Sequence, residues 1–244
     1  IALAAATTTA GSLLQNTATA ATVDTAGKTL RVTSVTVPSG KAGVTLGAAS
    51  GDGTLAPATA GGGLSLANDG SAPLIVNAAI ANNTSASSLS KSGAGTVTLA
   101  APNTFSGGTA ISGGTLLLAH GDALQNSTVT LGAVAPVFDS SVSGHAFTFG
   151  ALAGLKDFAL SDNAGNPVAL SVGKNNASTA YSGAISGGGS LVKQGSGTLT
   201  LAGANTFSGG TTLSAGGALT ANSLQALGLG PVVNNGTLNL TTAP

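Results

Sequence analysis

The sequence predicts an all-β solenoid of short strands, and three observations predict it. The 244 residues include 38 glycines and 8 prolines, which leave few windows long enough for a helix. Short runs that alternate aliphatic and hydroxyl residues recur between turn residues. Residues 89–118 are repeated at 191–220, and the two segments agree at 18 of 30 positions. A near-copy of this kind is typical of repeat architectures.

The alternating runs identify the strands. Period-two alternation places the aliphatic side chains on one side of a strand and the hydroxyls on the other. Each strand is therefore expected to have one buried and one solvated side. The clearest runs are Leu30–Val37, Gly43–Leu46, Leu74–Asn77, Thr96–Leu99, Thr115–Leu118, Thr128–Leu131, Thr198–Leu201 and Thr237–Leu240.

The spacing of the turns separates two all-β architectures. A sandwich or up-and-down barrel has longer strands, whereas a β-solenoid has short strands with a turn every few residues. From Gly95-Thr96 to Gly114-Thr115 is 19 residues, and the pair Gly108-Thr109 lies between them. The solenoid fits better. At ~4.8 Å per coil, about ten to twelve coils make a rod roughly 50 Å long.

We expect residues 1–244 to form one continuous β-helical segment. It divides into N-terminal coils at 1–73, a first repeat at 74–132, irregular middle coils at 133–180 and a second repeat at 181–244. Phe105 and Phe207 hold equivalent positions in the two copies and are expected to fill the core. The middle segment contains four further Phe residues and the loop Ser161–Pro167. Because loops on a rigid scaffold carry function, a binding surface is expected there first.

The composition restricts the partners. Only 6% of residues are charged, and seven cations balance seven Asp, so the net charge is zero. Without a basic patch, nucleic acid is not expected as a partner. Zero net charge favours self-association. Because neither terminus carries a strong cap, end-to-end stacking of the solenoid is the expected mode.

The chain contains neither Met nor Cys. It is therefore expected to be a mature form or a segment of a larger polypeptide, with Ile1–Ala6 resembling the end of a signal peptide. The lack of Cys excludes disulfides and thiolate metal sites. No apolar run approaches the ~20 residues that span a bilayer.

No catalytic, cofactor-binding or metal-binding residue is predicted. His120 and His145 stand alone in sequence, and among the Asp residues only Asp157 and Asp162 are close. Most of the Asp are expected to cap turns. The Asp residues considered are Asp24, Asp52, Asp69, Asp122, Asp139, Asp157 and Asp162. No nucleophile elbow, phosphate loop or calcium nonapeptide occurs.

Residues Ala184–Leu240 resemble the passenger-associated transport repeat of bacterial autotransporters, and Ile80–Leu131 resembles it as well. The hallmarks are the spaced Leu, Lys, Gly and Thr that open each copy, the run NTFSGGT, and an Ala-Leu-Gly. In the second copy they are Leu191, Lys193, Gly195, Gly197, Thr198, Asn205–Thr211 and Ala226–Gly228; in the first, Leu89, Lys91, Gly93, Gly95, Thr96 and Asn103–Thr109. The first copy departs from the pattern at Asp122–Gln125, and together the copies cover a little under half of the chain.

The resemblance implies a right-handed parallel β-helix that is exported as part of a larger passenger. It also implies an extracellular or cell-surface location, an outer-membrane translocator of the same precursor as partner, and a role for the repeat in export and folding rather than catalysis. A stalk, adhesin or matrix component with a surface or glycan receptor is the function expected first. The alternatives are a subunit of a self-assembling extracellular fibre and, from another class, a polysaccharide-degrading β-helix enzyme.

Overall fold

A computed structural model of the chain describes residues 1–241 and shows a parallel β-solenoid of about 11 turns. Every pairing between strands is parallel, and two short 3₁₀ helices, Ser143–His145 and Leu224–Leu227, lie at corners. In chain order the strands are β1 Thr7–Thr9, β2 Ser12–Leu14, β3 Ala21–Val23, β4 Thr29–Arg31, β5 Ser34–Val37, β6 Val44–Leu46, β7 Thr54–Ala56, β8 Gly63–Asn68, β9 Leu74–Val76, β10 Ala79–Ile80, β11 Ser88–Ser92, β12 Thr96–Leu99, β13 Thr109–Ile111, β14 Thr115–Leu118, β15 Leu124–Leu131, β16 Val137–Phe138, β17 Ala146–Gly154, β18 Phe158–Ala159, β19 Ala169–Val172, β20 Thr179–Tyr181, β21 Ile185–Ser186, β22 Ser190–Lys193, β23 Thr198–Leu201, β24 Thr211–Leu213, β25 Ala218–Ala221, β26 Val232–Asn234 and β27 Thr237–Leu240.

The coils stack into three faces. Face A begins with β1, β4, β7 and β10, face B with β2, β5, β8, β11 and β13, and face C with β3, β6, β9, β12, β14 and β16. Face A continues through residues 103–105 and 122–124, the first half of β17, then β19, β22, β24 and β26. Face B continues through β15, the second half of β17, then β20, β23, β25 and β27. Face C continues through β18, β21, residues 205–207 and the helix Leu224–Leu227.

The core is a set of aliphatic ladders inside these faces. Strands such as β12 and β23 show the alternation of half-buried Thr with fully buried Val or Leu that their sequences predict. Each fully buried aliphatic side chain stabilises the fold by about 1.5–3 kcal/mol relative to exposure. Stacking of like residues from coil to coil therefore makes a continuous apolar interior.

Each predicted run is found in a strand, but several bounds differ: Gly43 lies before β6, Asn77 lies after β9, and the run at 128–131 is the second half of the longer β15. The run Leu30–Val37 is divided into β4 and β5 by a corner at Val32 and Thr33. Val32 is fully buried, and its N–H bonds to the carbonyl of Ala56 on the next coil while Thr33 bonds backwards to Gly11. The chain turns there without a glycine, and the sequence marks the corner by the two adjacent polar residues Thr33 and Ser34, which change the phase of the alternation.

The middle coils are held by aromatic side chains. Phe138 contacts Phe147, Phe149 and Phe158 with ring centroids 4.7, 6.1 and 6.4 Å apart, and Phe158 meets the edge of Tyr181 at 5.8 Å. All five rings are buried. Phe105 and Phe207 are buried as well, which confirms their predicted role as core residues.

No helix within residues 1–241 combines the length and apolarity that crossing a membrane requires.

Candidate functional site

The duplicated motif builds a corner in which a buried asparagine joins three consecutive coils. Asn103 Oδ1 accepts a hydrogen bond from the Ile80 N–H at 2.7 Å, and its Nδ2 donates to the Ala123 carbonyl at 2.8 Å. Asn103 is only 2% exposed. Ile80 precedes it by one coil and Ala123 follows by one coil, so a single side chain links its own coil to both neighbours.

The second copy reproduces this arrangement. Asn205 Oδ1 accepts from the Ile185 N–H at 2.8 Å, and Nδ2 donates to the Ala226 carbonyl at 2.6 Å. Ile185 lies in β21 and Ala226 in the helix Leu224–Leu227, and the amide side chain supplies a hydrogen-bond partner to the backbone of each. We call this arrangement the asparagine joint, made of Asn103 or Asn205 and its two bonded residues.

Each copy also buries a lysine. Lys91 Nζ donates to the carbonyls of Ser92, Gly93 and Gly113 at 2.9, 2.7 and 2.9 Å, and thus ties its own turn to the next coil. Burial lowers the pKa of its ammonium below the ordinary value, although the charge of Asp69 opposes this shift. The ammonium is held by carbonyl dipoles rather than by a carboxylate.

The lysine of the second copy makes fewer contacts. Lys193 Nζ donates to the carbonyls of Gln194 and Gly195 at 2.6 and 2.9 Å, and both belong to its own turn. Burial lowers its pKa as well. The two lysines are equally buried, but Lys91 bonds to a carbonyl of the next coil whereas Lys193 bonds within its own turn.

A close backbone approach follows the asparagine in each copy. A Cβ on Gly107 would lie 2.4 Å from the Ser87 carbonyl, and one on Gly209 would lie 2.5 Å from the Gly189 carbonyl. The N–H of each glycine donates to that same carbonyl. Glycine is therefore required sterically at the first position of each Gly-Gly pair.

Buried hydroxyl groups complete the corner. Thr109 Oγ1 lies 2.8 Å from Ser127 Oγ, which itself donates to the Gly107 carbonyl at 2.7 Å. In the second copy Thr211 Oγ1 donates directly to the Leu227 carbonyl at 2.8 Å. The two copies thus use the same hydroxyl with different partners on the following coil.

The two copies lie on different faces of the solenoid. The first begins with β11 on face B of the fourth coil, and the second begins with β22 on face A of the ninth. A separation of 102 residues therefore corresponds to four coils and two faces, not to a whole number of coils. Asn103 consequently sits at face A and Asn205 at face C, although their local contacts agree.

An open cleft of about 460 Å³ lies at the corner between faces C and A, where residues 119–122 of the first repeat face residues 141–148 of the middle coils. Its polar lining includes His120, Asp122, Ser141, Ser143 and Thr148. The Nδ1 atom of His120 accepts the Asp122 N–H at 3.0 Å, which leaves the other ring nitrogen to interact with solvent or a ligand. Such a lining can donate and accept hydrogen bonds with a neutral polar molecule.

The two histidines differ in their surroundings. His145 Nδ1 lies 2.8 Å from Asp162 Oδ2, a residue 17 positions away in sequence. Although burial raises the pKa of Asp162, hydrogen bonds from Asn166 and Ala164 and the charge of His145 outweigh that effect and lower it. The pair secures the corner that precedes β17.

Several of the aspartates cap turns, as predicted. Asp24, Asp139 and Asp162 each accept the N–H of the residue two positions later at 2.9 Å. Asp52 accepts from Ala48 and Gly27, both at 2.9 Å, and these bonds hold its pKa below the ordinary value.

Asp157 and Asp162 are close in sequence but have separate partners. Asp157 accepts the Ala184 N–H at 2.7 Å from the next coil, whereas Asp162 accepts N–H groups of its own loop and pairs with His145. Within residues 1–241 no three His or Asp side chains approach closely enough to hold a metal ion.

Tyr181 extends from its own coil to the preceding coil, close to Asp157. Its hydroxyl donates to the Lys156 carbonyl, and its side chain is fully buried. Burial raises the pKa of the phenol, and the negative charge of Asp157 adds to the effect. Tyr181 therefore acts as a structural bridge between coils.

The ends of the described solenoid expose the apolar interior. At the C-terminal end Val232, Leu240, Leu224 and Leu229 are between 41% and 72% exposed, and at the N-terminal end Ile1 is 86% exposed. Strands β26 and β27 are bonded on one side only within residues 1–241, as are β1 and β2.

The buried lysines were not recognised from the sequence, although a signal for them exists. Leu191 points inward on β22, so period-two alternation places Lys193 inside as well. The asparagine joint had only a weaker signal, the recurrence of Asn at the same place in both copies.

Comparison with known proteins supports the assignment of the motif. The family model described as passenger-associated-transport-repeat matches residues 89–118 and 191–221, about a quarter of the chain. No curated protein and no solved structure matches the chain. The two copies that form the asparagine joints are therefore the parts of this chain that match the passenger-associated-transport-repeat.

Proposed function

We propose that this chain is a non-catalytic structural segment of a secreted or surface-displayed bacterial protein of the autotransporter type, and that it acts as a stalk. In this proposal an outer-membrane translocator of the same precursor exports it, and the two repeats promote its folding outside the cell. The observation that carries the proposal is the asparagine joint, which occurs once in each matched segment.

The joint has a specific consequence for coil-by-coil folding. In a solenoid each coil contacts only its nearest neighbours, so cooperativity depends on the interface between adjacent coils. Asn103 bonds to Ile80 in the preceding coil and to Ala123 in the following one. Its buried amide has both hydrogen-bond partners only when all three coils are in place. The joint therefore stabilises a folded block of three coils over one or two coils alone.

The composition suits passage through a pore in the unfolded state. The chain has no Cys that could form a disulfide before export, and only 6% of its residues are charged. Coils that stack as they emerge would oppose return of the chain. The polar side chains of the repeat make their hydrogen bonds inside the fold, since Lys91, Asn103, Thr109 and their counterparts are all buried. This burial favours a structural role over catalysis.

The test is surface display of the chain within an autotransporter passenger. The double substitution Asn103→Ala and Asn205→Ala is compared with Asn16→Ala, an exposed asparagine in the first coil. We expect the double variant to reach the surface at a several-fold lower level, with the remainder degraded, because folding outside the cell is slowed. Display equal to that of the Asn16→Ala control would contradict a role for the repeats in export.

A further inference from the structure

The cleft at the corner between faces C and A gathers polar side chains that the fold itself does not use. The Asp122 carboxylate and the hydroxyls of Ser141, Ser143 and Thr148 line it, and within residues 1–241 these groups make no hydrogen bond to another protein group. In the corners built by the duplicated motif, by contrast, polar side chains such as Asn103 are buried and bonded on both sides. The polar groups of the cleft are therefore free to bind a ligand.

Asp122 differs in this respect from most of the other aspartates. Five of the seven accept a backbone N–H with their carboxylate: Asp24, Asp52, Asp139, Asp157 and Asp162. A sixth, Asp69, acts through its charge on the buried Lys91. Asp122 bonds through its backbone alone, since its N–H donates to His120 Nδ1 at 3.0 Å and its carbonyl accepts the Asn103 N–H at 3.3 Å. Its carboxylate thus has no structural role that would explain its position in the cleft.

The wall that carries Asp122 is fixed by hydrogen bonds. Because Nδ1 of His120 accepts the Asp122 N–H, a neutral ring carries its proton on Nε2, which is therefore a donor. At the base of the cleft the Thr148 N–H donates to the Gly121 carbonyl at 2.8 Å, which joins this wall to β17. A Cβ on Gly121 would lie 2.4 Å from the Ala146 carbonyl, so the two coils approach closely there.

The opposite wall, residues 141–146, is held as firmly. Asp139 Oδ1 accepts the Ser141 N–H at 2.9 Å, and the pair His145–Asp162 fixes the other end of this corner. Both walls are thus positioned without a ligand. Such preorganisation lowers the cost of ordering side chains when a ligand binds.

A shallower groove of about 180 Å³ continues along the same corner. It runs between residues 167–169 and 188–190, from Gly144 to Gly209. Ala169 and Ser190 in this groove are in register with Ala146 in the cleft. Gly121, Ala146, Ala169 and Ser190 therefore lie on four successive coils, which at ~4.8 Å per coil extend over roughly 14 Å. The cleft and the groove together suit an elongated ligand that lies parallel to the solenoid axis.

The lining favours a neutral ligand that is rich in hydroxyl groups. A carboxylate accepts hydrogen bonds from two adjacent hydroxyls, while Ser and Thr hydroxyls both donate and accept. Within residues 1–241 no Lys or Arg lines the cleft or the groove, so an anionic ligand would meet the charge of Asp122 without a counter-charge. The strands at the base, β17 and β19, are paired on both sides and offer no free edge to which a peptide could add as a strand. A neutral sugar chain meets all of these conditions.

We propose that the cleft and the groove bind a neutral oligosaccharide, with the Asp122 carboxylate and the Thr148 hydroxyl as hydrogen-bond partners of its hydroxyl groups. Because the cleft is open, most of the sugar stays in water, and a dissociation constant on the order of 1 mM is expected. The site adds a binding function to the structural role proposed above. It does not depend on the role in export, and either proposal can fail without the other.

The experiment is a titration of the purified, ¹⁵N-labelled chain, followed by nuclear magnetic resonance of the backbone amides. The probes are neutral oligosaccharides of glucose, mannose, galactose and N-acetylglucosamine. An oligogalacturonate serves as the anionic counterpart and a Gly-Ser peptide as the non-sugar probe. We expect at least one neutral oligosaccharide to shift the amides of Gly121, Asp122 and Thr148 saturably at millimolar concentration, while the oligogalacturonate and the peptide leave them unchanged.

Two pairs of variants assign the binding to this site. Asp122→Ala is expected to weaken binding by about ten-fold or more, whereas Asp69→Ala, which removes the same charge at the corner between faces B and C, should leave it unchanged. Thr148→Val keeps the shape of the side chain, and loss of its hydroxyl should weaken binding by roughly two- to five-fold. Thr98→Val makes the same exchange at a half-buried position on β12 and should have no effect. Circular dichroism checks that each variant is folded, and the threonine pair decides the outcome if Asp122→Ala unfolds.

Three results would overturn the proposal. The first is that no neutral oligosaccharide shifts the amides of the cleft at tens of millimolar. The second is equal affinity in the folded variants of each pair, since the ligand would then bind elsewhere. The third is tighter binding of the oligogalacturonate or the peptide in the cleft, which would assign the site to that class of ligand instead.

Discussion

Asn103 and Asn205 are equivalent in sequence and make the same contacts, yet they lie on different faces of the solenoid. Each accepts an isoleucine N–H from the preceding coil and donates to an alanine carbonyl of the following coil. The motif therefore specifies a corner and the two coils beside it, independently of which face that corner occupies.

Removal of either amide is expected to destabilise the solenoid strongly. Asn103→Ala leaves the Ile80 N–H and the Ala123 carbonyl without partners, at about 1–3 kcal/mol for each buried group. The expected loss is about 2–5 kcal/mol in the free energy of unfolding, measured by guanidinium denaturation, and Asn205→Ala should behave alike. Asn16→Ala, at an exposed position, should change stability by less than about 0.5 kcal/mol. Equal effects at the two kinds of position would argue against the joint.

The two glycines of each Gly-Gly pair should differ in their tolerance of alanine. Gly107→Ala places a Cβ 2.4 Å from the Ser87 carbonyl and is expected to cost about 1–3 kcal/mol. At Gly108 the nearest atom would be 3.7 Å away, so Gly108→Ala should be neutral or stabilise the fold by up to about 1 kcal/mol.

The second copy should not show this difference. Gly210 has φ +92° and a Cβ there would lie 2.5 Å from the Pro231 carbonyl, so Gly210→Ala is expected to destabilise as Gly209→Ala does. Thermal denaturation of the four variants checks both pairs. A Gly210→Ala variant as stable as Gly108→Ala would contradict the close approach of Gly210 to the Pro231 carbonyl.

The buried lysines predict a rise in stability at alkaline pH. Burial lowers the folded-state pKa of Lys91 and Lys193 below the ordinary value of 10.5. Between the lowered value and 10.5 the unfolded chain binds more protons than the folded chain, so the free energy of unfolding rises with pH in that window. Below it the contribution of the lysines is constant.

Denaturation curves from neutral pH to about 10 measure this slope. The double variant Lys91→Met and Lys193→Met should lose the rise, whereas Ala110→Lys, at an exposed position on β13, should keep it. Tyr181 acts in the opposite sense above about pH 10, since its raised pKa lowers stability when the unfolded phenol ionises. If the free energy of unfolding of the lysine double variant rose with pH as steeply as that of the unmodified chain, the buried lysines would be excluded as the cause of the rise.

Two carboxylates predict a loss of stability in acid. Hydrogen bonds hold the pKa of Asp52 and Asp162 below the ordinary value of 3.8. Their contribution is complete above 3.8 and is lost as the pH falls below that value toward the folded-state pKa. Asp52→Asn and Asp162→Asn should each flatten the acid limb of the stability curve measured by thermal denaturation, and a limb as steep as that of the unmodified chain would contradict the assignment.

The strands could be predicted from the sequence because alternation is a local property. Thr96–Leu99 and Thr198–Leu201 are found with the predicted bounds, since each follows a glycine and alternates Thr outward with aliphatic residues inward. The corner at Val32 was missed because no glycine, asparagine or proline stands there. Its signal is a change of phase, since the buried side chains are Leu30 and Val32 before the corner and Val35 and Val37 after it.

The relative rotation of the two copies could not be predicted. It depends on the lengths of the middle coils, where β15 and β17 run through the corner between faces A and B as long strands. The number of residues in a coil varies with its loops. The separation of 102 residues therefore does not determine how many faces lie between the two copies. The lysines were missed for a different reason, because Lys is rarely buried and its carbonyl partners come from turns that only the folded chain brings together.

Native-state hydrogen exchange at the Ile80 and Ile185 amides measures whether one asparagine holds three coils together. Both amides are expected to be among the slowest to exchange in the unmodified chain. In Asn103→Ala the protection of Ile80 should fall by orders of magnitude, while that of Ile185 is retained, and Asn205→Ala should show the reverse. Protection of Ile80 that is unchanged in Asn103→Ala would contradict this role of the asparagine.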